Sequence, residues 1–260
     1  MPATRLEIAT LEVDGAAPAP RPGAAAPDSP TTTASAGLAA LRLAPILAGV
    51  AEERLAKLAA RARWLLHDAG EMVVDLGDAT DEVFFVCDGA VRVVMRTVLG
   101  REAILNELGA GEIFGELAAI DGYPRSANVT ALRRTRLCAV PADAFLELAL
   151  GSPIVGRRLL RLLVARLRAK DERLLEQAAL TARQRLIAEL LRLSRDRTAG
   201  ERVLSPPPPQ HVLAARINTR RETVSRELAN MVRAGLVSVG RRAIVLHRPE
   251  TLAEEIKARM

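Results

Sequence analysis

The chain has 260 residues, with 37 Lys and Arg against 31 Asp and Glu, for a formal net charge of +6. This length suits two domains, two cysteines are too few for a disulfide scaffold or a four-cysteine cluster, and 2% aromatic residues argue against base-stacking platforms. Residues 1–150 carry a net −6 and residues 151–260 a net +12, so the basic half is expected to meet a polyanion. Without an 18-residue apolar run or a signal pattern, we expect no membrane partner and a cytoplasmic location.

The first half of the chain predicts a tail followed by a β-rich domain. Residues 1–37 are rich in Ala, Pro, Thr and Gly, which indicates a mobile tail, dispensable or regulatory. Periodicity predicts a helix over residues 51–64. Short apolar runs between glycine turns over residues 65–140 predict an antiparallel barrel or sandwich, with jelly-roll topology as one option. The predicted strands are Val73–Leu76, Val83–Val86, Val91–Met95, Ile104–Leu108, Ala127–Leu132 and Arg136–Val140.

The middle of the chain predicts helices. A short helix over residues 142–150 precedes a long one from Pro153 to about Gln177. The long helix carries leucines at near-heptad spacing, which indicates either a dimer seam or packing on its own domain. These leucines are Leu160, Leu163, Leu167 and Leu174. Polar Lys170 and Asp171 interrupt the stripe. Another amphipathic helix is predicted over residues 181–195, and Pro206–Pro209 form a rigid connector.

Residues 210–235 predict a helix, a tight turn and a second helix. Asn218 suits the left-handed backbone of the turn, and Thr219 with Glu222 three residues later matches a capping box at the start of the second helix. Two short strands, Val237–Val239 and Ala243–Leu246, then flank Gly240-Arg241 as a β-hairpin wing.

This unit is expected to bind duplex DNA. The second helix fits the major groove, where arginine donates two hydrogen bonds to guanine and glutamate accepts one from cytosine. Wing residue Arg241 suits a phosphate. The alternatives are a solvated arginine face and a purely capping role for Glu222. The predicted DNA contacts are Arg220, Arg221, Glu222, Ser225, Arg226 and Arg241.

The stretch Arg221-Glu222-Thr223-Val224-Ser225-Arg226 resembles the recognition helix of the Crp–Fnr family of bacterial transcription regulators. The resemblance extends over residues 40–248. It implies a half-site similar to TGTGA with an inverted copy one helical turn away. Arg221 and Arg226 would then read guanines, and Glu222 a cytosine.

A second motif resembles the phosphate-binding cassette of cyclic-nucleotide-binding domains. It consists of Phe114-Gly115-Glu116-Leu117-Ala118 followed by Pro124-Arg125-Ser126-Ala127. The resemblance implies that Glu116 accepts the ribose 2′-hydroxyl, that Arg125 donates to the phosphate and that Ser126 adds a hydroxyl donor. Gly115 would let the backbone approach the anion. Without this context, Glu116 and Arg125 could form a surface ion pair.

The base of the expected nucleotide is open. The family's adenine-contacting Thr-Ser pair falls on Lys170-Asp171, where Asp171 would accept from the two donors of guanine and Lys170 could pair with Asp171 or another anion. Cyclic AMP or cyclic GMP is therefore the expected effector, and an orphan pocket is the alternative.

Cys87 and Cys138 are expected in the core. With scattered histidines, of which His67 is the haem alternative, we expect no metal, haem or iron–sulfur cluster.

The expected fold is α+β. It comprises a tail (1–37), a jelly-roll cyclic-nucleotide-binding sensor (38–149), a dimerisation helix (150–179) and a winged helix–turn–helix (180–260). The expected function is ligand-responsive regulation of transcription by a homodimer on palindromic duplex DNA, in contact with RNA polymerase. The alternatives are the same DNA reader with an orphan or non-nucleotide sensor, and a regulatory subunit that docks on a protein. An enzyme is not expected, because no nucleophile–base pair is present.

Overall fold

The computed structural model describes residues 38–96, 102–197 and 200–257. The tail expected over residues 1–37 lies outside this part of the chain. Two four-stranded antiparallel sheets, in the orders β1-β8-β3-β6 and β2-β7-β4-β5, form the first domain. These eight strands are β1 (Arg63–His67), β2 (Met72–Val74), β3 (Val83–Asp88), β4 (Ala90–Arg96), β5 (Glu102–Gly109), β6 (Ile113–Phe114), β7 (Asn128–Ala131) and β8 (Thr135–Val140). This alternation of strands between two sheets is the predicted jelly roll.

The core of this domain lies between the two sheets. One apolar cluster joins Val74, Val91 and Val129 of one sheet to Phe84 and Leu137 of the other. A second cluster holds β3 and β8 against the helices, and Cys87 and Cys138 are buried in it as free thiols, as predicted. The domain is therefore closed by burial of alternating side chains from both sheets.

Helices precede, interrupt and follow the strands. Three of them are α1 (Glu52–Arg61), α2 (Glu116–Asp121) and α3 (Ala142–Gly151). The long α4 (Pro153–Ala179) leads to α5 (Ala182–Leu193), α6 (Gln210–Arg216), α7 (Arg221–Arg233) and α8 (Pro249–Lys257). A third antiparallel sheet, in the order β11-β12-β10-β9, packs with the last four helices. Its strands are β9 (Arg195–Asp196), β10 (Arg202–Leu204), β11 (Val237–Val239) and β12 (Ile244–Leu246).

Three sequence predictions need correction. Thr219 does not cap α7: the helix begins at Arg221 after N-cap Arg220, whose side chain makes no cap hydrogen bond, and the Thr219 amide instead donates to Ala214 O at 2.9 Å. Leu163 does not belong to the exposed stripe of α4, because it packs partly buried against the core. Residues 63–64 are in β1 rather than in a helix, because Arg63–His67 pairs antiparallel with β8.

The exposed stripe of α4 has regular heptad spacing. Leu160, Val164, Leu167 and Leu174 expose 65%, 49%, 59% and 68% of their surface. Spaced by four, three and seven residues, they share one helix face, and Asp171 falls on the same face between the last two. The long helix therefore uses one face for its own domain and leaves another apolar face uncovered in the single chain.

Candidate functional site

A cavity of about 400 Å³, here called the ligand cavity, lies between the first domain and α4. Every residue expected to bind a nucleotide lines it except Asp171. The cassette contributes Gly115, Glu116, Leu117, Arg125 and Ser126, and the helices α4 and α5 contribute Arg166, Lys170, Arg173 and Arg192. Apolar side chains from β4, β5 and β7 complete the wall. The cavity thus combines a polar cassette with an apolar surface, as small-molecule sites do.

Gly115 is required by close packing at the start of α2. Its φ is +82°, and a Cβ there would lie 2.6 Å from Nη1 of Arg125 and 2.7 Å from the carbonyl oxygen of Glu82. No other residue type fits both the left-handed backbone and this spacing. The cassette backbone can therefore reach the guanidinium directly.

Arg125 is held in a fixed position by groups around the cavity. Only 4% of it is exposed. Its Nε donates to Thr80 Oγ1 at 2.9 Å, Nη1 to Gly115 O at 3.1 Å, and Nη2 to Glu82 O at 2.9 Å. Burial lowers the pKa of Arg125, and the Glu82 carboxylate, 3.6 Å away, opposes that shift. The guanidinium is a preorganised cation at the cavity wall.

Glu116 is also buried, at 3% exposure, and it is paired with a residue that the sequence analysis missed. Nη1 of Arg166 donates to Glu116 Oε1 at 2.6 Å, and Nη2 donates to Ile113 O at 2.6 Å. Arg166 lies one helical turn before Lys170, so helical spacing placed it on the cavity face of α4. This pair connects the cassette directly to the long helix.

Lys170 and Asp171 lie in different environments. Lys170 lines the ligand cavity and makes no ion pair with a described residue. Asp171 is exposed and is not among the lining residues. The two residues, considered together in the sequence, therefore lie on different faces of α4: one toward the cavity and the other on the uncovered apolar stripe.

The predicted DNA-contact residues lie around the start of α7 and in the turn between β11 and β12. Val224, Leu228 and Met231 of α7 point into the core. The remaining face of the helix start and the wing turn carries the predicted contacts, all exposed: Arg220, Arg221, Glu222, Ser225, Arg226 and Arg241. The turn before α7 contains Asn218 at φ +51°, the left-handed conformation predicted for it. An exposed, basic helix beside a hairpin is the arrangement that enters a major groove.

Neither a metal cluster nor a membrane span is found in the described part of the chain. It contains no group of three or more His, Cys, Asp or Glu side chains placed to hold a metal ion. No described helix is long and apolar enough to cross a bilayer. His67 lies on β1 with its Nδ1 3.6 Å from a Glu71 carboxylate oxygen.

Comparison with known proteins matches both domains, the one that holds the cassette and the one that holds α7. Residues 66–151 match the cyclic nucleotide-binding domain, and residues 184–255 match the Crp-like helix-turn-helix domain. The Cyclic AMP receptor protein of Thermus thermophilus is 32% identical over 212 residues, 82% of this chain and 96% of that protein. A CRP-like cAMP-activated global transcriptional regulator of Mycobacterium tuberculosis is 26% identical over 84% of this chain and 98% of its own length.

Solved structures share the fold. A Crp/Fnr-family transcriptional regulator from Thermus thermophilus superposes with a TM-score of 0.61 at 24% identity, covering 76% of this chain and all of that one. The shared element order of β domain, long helix and helix–turn–helix agrees with both family matches. The chain therefore belongs to the Crp–Fnr family of DNA-binding transcription regulators and contains a cyclic nucleotide-binding domain.

Proposed function

We propose that this chain is a homodimeric transcription regulator whose affinity for a palindromic, TGTGA-like DNA site is controlled by a cyclic nucleotide in the ligand cavity. The observation that carries the proposal is the convergence of Gly115, Glu116 and Arg125 on one cavity bordered by α4. A volume of about 400 Å³ falls in the range of small-ligand sites. The same helix leads through α5 to the DNA reader.

Cyclic AMP and cyclic GMP are the proposed effectors. Arg125 supplies the buried cation for one phosphodiester, and Ser126 lies beside it on the cavity wall. Glu116 keeps one carboxylate oxygen on Arg166, so the other oxygen is the acceptor proposed for the ribose hydroxyl. The relatives named above are described as cyclic-AMP proteins, which supports that nucleotide. Lys170 and Asp171, at the positions that differ from the family pattern, would decide the base.

The proposed dimer uses the uncovered stripe of α4. Leu160, Val164, Leu167 and Leu174 form a seam of the kind that pairs two long helices. Two copies related by a two-fold axis would present two recognition helices to two inverted half-sites. Arg221, Glu222 and Arg226 would read bases there. RNA polymerase is the proposed protein partner on the promoter, and the cytoplasm the proposed location.

DNase footprinting on promoter DNA tests this function. The protein is titrated onto the DNA alone and with saturating cyclic AMP, cyclic GMP or cyclic di-GMP. Calorimetry measures the binding of each nucleotide separately. We expect one nucleotide to bind and to change protection of a palindromic site, with an affinity that falls steeply as salt rises. Equal protection in every arm would leave a DNA reader with an orphan sensor. No protection at low salt would favour a protein-docking regulatory subunit.

A further inference from the structure

A buried carboxylate joins the two domains at the edge of the ligand cavity. Glu189 of α5 is fully buried, with 0% exposure. Three arginines from three different helices surround it. Arg216 of α6 donates through Nη1 to Glu189 Oε1 at 3.1 Å, Nη2 of Arg173 on α4 lies 3.8 Å from Oε2, and Arg192 of α5 bonds Oε2 as well. A buried carboxylate requires such compensation.

The same network reaches the nucleotide-binding domain. The second terminal nitrogen of Arg216, Nη2, lies 2.5 Å from Glu107 Oε2 on β5. Arg216 therefore bridges a carboxylate of the sensor sheet and a carboxylate of the helix-turn-helix domain. We call Glu107, Arg173, Glu189, Arg192 and Arg216 the interdomain clamp.

An apolar contact lies beside the clamp. Val94 of β4 and Ile104 of β5 form one buried cluster with Val212 of α6, and Ala215 packs against it. The first helix of the DNA reader is thus docked on the β4–β5 hairpin by both apolar and ionic contacts. This docking is a direct physical connection between the two domains, in addition to the long helix.

Two members of the clamp are also members of the ligand cavity. Arg173 and Arg192 line the cavity and, at the same time, neutralise Glu189. An anionic nucleotide in the cavity would share these guanidinium groups with Glu189, and its charge would repel that carboxylate. Nε of Arg216 is buried without a hydrogen-bond partner among the described residues, so the docked arrangement leaves a desolvated donor unsatisfied.

We propose that the interdomain clamp couples the ligand cavity to the DNA reader: a cyclic nucleotide draws Arg173 and Arg192 away from Glu189 and so loosens the docking of α6 on the β4–β5 hairpin. This inference rests on the proposed function, because it explains how that nucleotide changes DNA affinity. The coupling free energy is carried by the clamp residues and is reciprocal between nucleotide and DNA. Glu107, Glu189 and Arg216 are positioning residues in this scheme, since they act through the two cavity arginines.

The test compares full-length Glu189→Gln and Glu107→Gln with the wild-type chain. For each, the dissociation constant for the palindromic DNA is measured with and without saturating cyclic AMP or cyclic GMP, and the readout is the ratio of the two constants. A change of charge that merely alters nucleotide affinity leaves this ratio unchanged at saturation. We expect both variants to move the ratio toward one by about fivefold or more, within the range of known allosteric couplings.

The matched control is Glu255→Gln. Glu255 makes a comparable ion pair in the same domain, 2.9 Å from Nε of Arg183, but does not belong to the clamp or the cavity. Its ratio should equal that of the wild type. Glu107 lies at the partly exposed end of the clamp, on the sensor sheet. Glu107→Gln therefore gives a measurable ratio even if Glu189→Gln unfolds the protein. If Glu107→Gln, or a folded Glu189→Gln, keeps the wild-type ratio of DNA dissociation constants, the clamp is overturned and the proposed function stands. A wild-type chain indifferent to both nucleotides would overturn the proposed function as well.

Discussion

Replacement of Arg125 should weaken the fold itself, before any ligand is considered. The guanidinium is buried and donates to Thr80, Gly115 and Glu82. Arg125→Ala removes all three hydrogen bonds and leaves the carbonyl groups of Gly115 and Glu82 without that donor. Arg125→Lys keeps the charge, but a single ammonium group cannot reach the three acceptors that the planar guanidinium spans.

The size of the loss in unfolding free energy follows from the hydrogen bonds that no other donor replaces. Gly115 O still accepts from the amide of Ala119 at 3.4 Å, so its loss is partial. The bonds to Thr80 and Glu82 are lost outright, and a hydrogen bond to a charged group contributes about 1.5–3 kcal/mol. Taking the lower figure for each, Arg125→Ala should lower the free energy of unfolding by about 3 kcal/mol, and Arg125→Lys by about half of that.

Urea unfolding followed by circular dichroism, without nucleotide, measures this loss. In a chain of this size, about 3 kcal/mol corresponds to a fall of about 6–12 °C in Tm. Arg134→Ala is the control, because Arg134 is exposed and only approaches Asp68 at 4.0 Å; its effect should stay within about 0.5 kcal/mol. If Arg125→Ala and Arg134→Ala unfolded at the same urea concentration, the cassette would not depend on the buried guanidinium.

Further predictions concern the DNA-contact residues, the exposed stripe of α4 and the two buried cysteines. Arg221→Ala should weaken DNA binding by about 1–3 kcal/mol and relax one base position, whereas Arg241→Ala should weaken all sequences alike; a uniform loss in both, measured by gel shift, would contradict base reading. Val164→Asp should shift the sedimenting species from dimer to monomer, and an unchanged mass would exclude the α4 seam. Burial raises the pKa of the Cys87 thiol to about 11 and that of Cys138 further, so a thiol reagent at pH 8 should label neither until the chain unfolds. The stability linked to Cys87 is present below its ordinary pKa of 9.0 and is lost toward pH 11, because only the unfolded thiol ionises in that window.

Local sequence patterns predicted most of the elements correctly. Glycine-bounded apolar runs located six of the eight jelly-roll strands, since alternation and turn residues are local properties. β1 and β6 were missed for different reasons. The predicted helix extended into Arg63 and Trp64, which belong to a strand because they pair with β8, and Ile113–Phe114 is too short to show a period. The capping prediction at Thr219 failed because the left-handed turn at Asn218 delays the start of α7 to Arg221.

The candidate site was predictable where it forms one contiguous motif. Gly115, Glu116 and Arg125 are close in the chain and line one cavity. Arg166 was not predicted, because it lies 50 residues from Glu116 and the two meet only when α4 packs on the sheet. The same holds for Glu189: Arg192 is a neighbour on its own helix, but Arg173 and Arg216 reach it only through helix packing.

The uneven charge of this sequence, its cassette and its recognition-helix motif were sufficient by themselves to indicate a DNA reader joined to a sensor for a small anion. These properties are carried by residue type and short-range spacing, which the chain retains before it folds. Only the tertiary structure decided that Lys170 faces the cavity while Asp171 does not line it, and that one buried glutamate holds arginines from three helices. Side-chain partners distant in sequence depend on how sheets and helices pack, and that packing is set by the burial of the whole core rather than by any single segment.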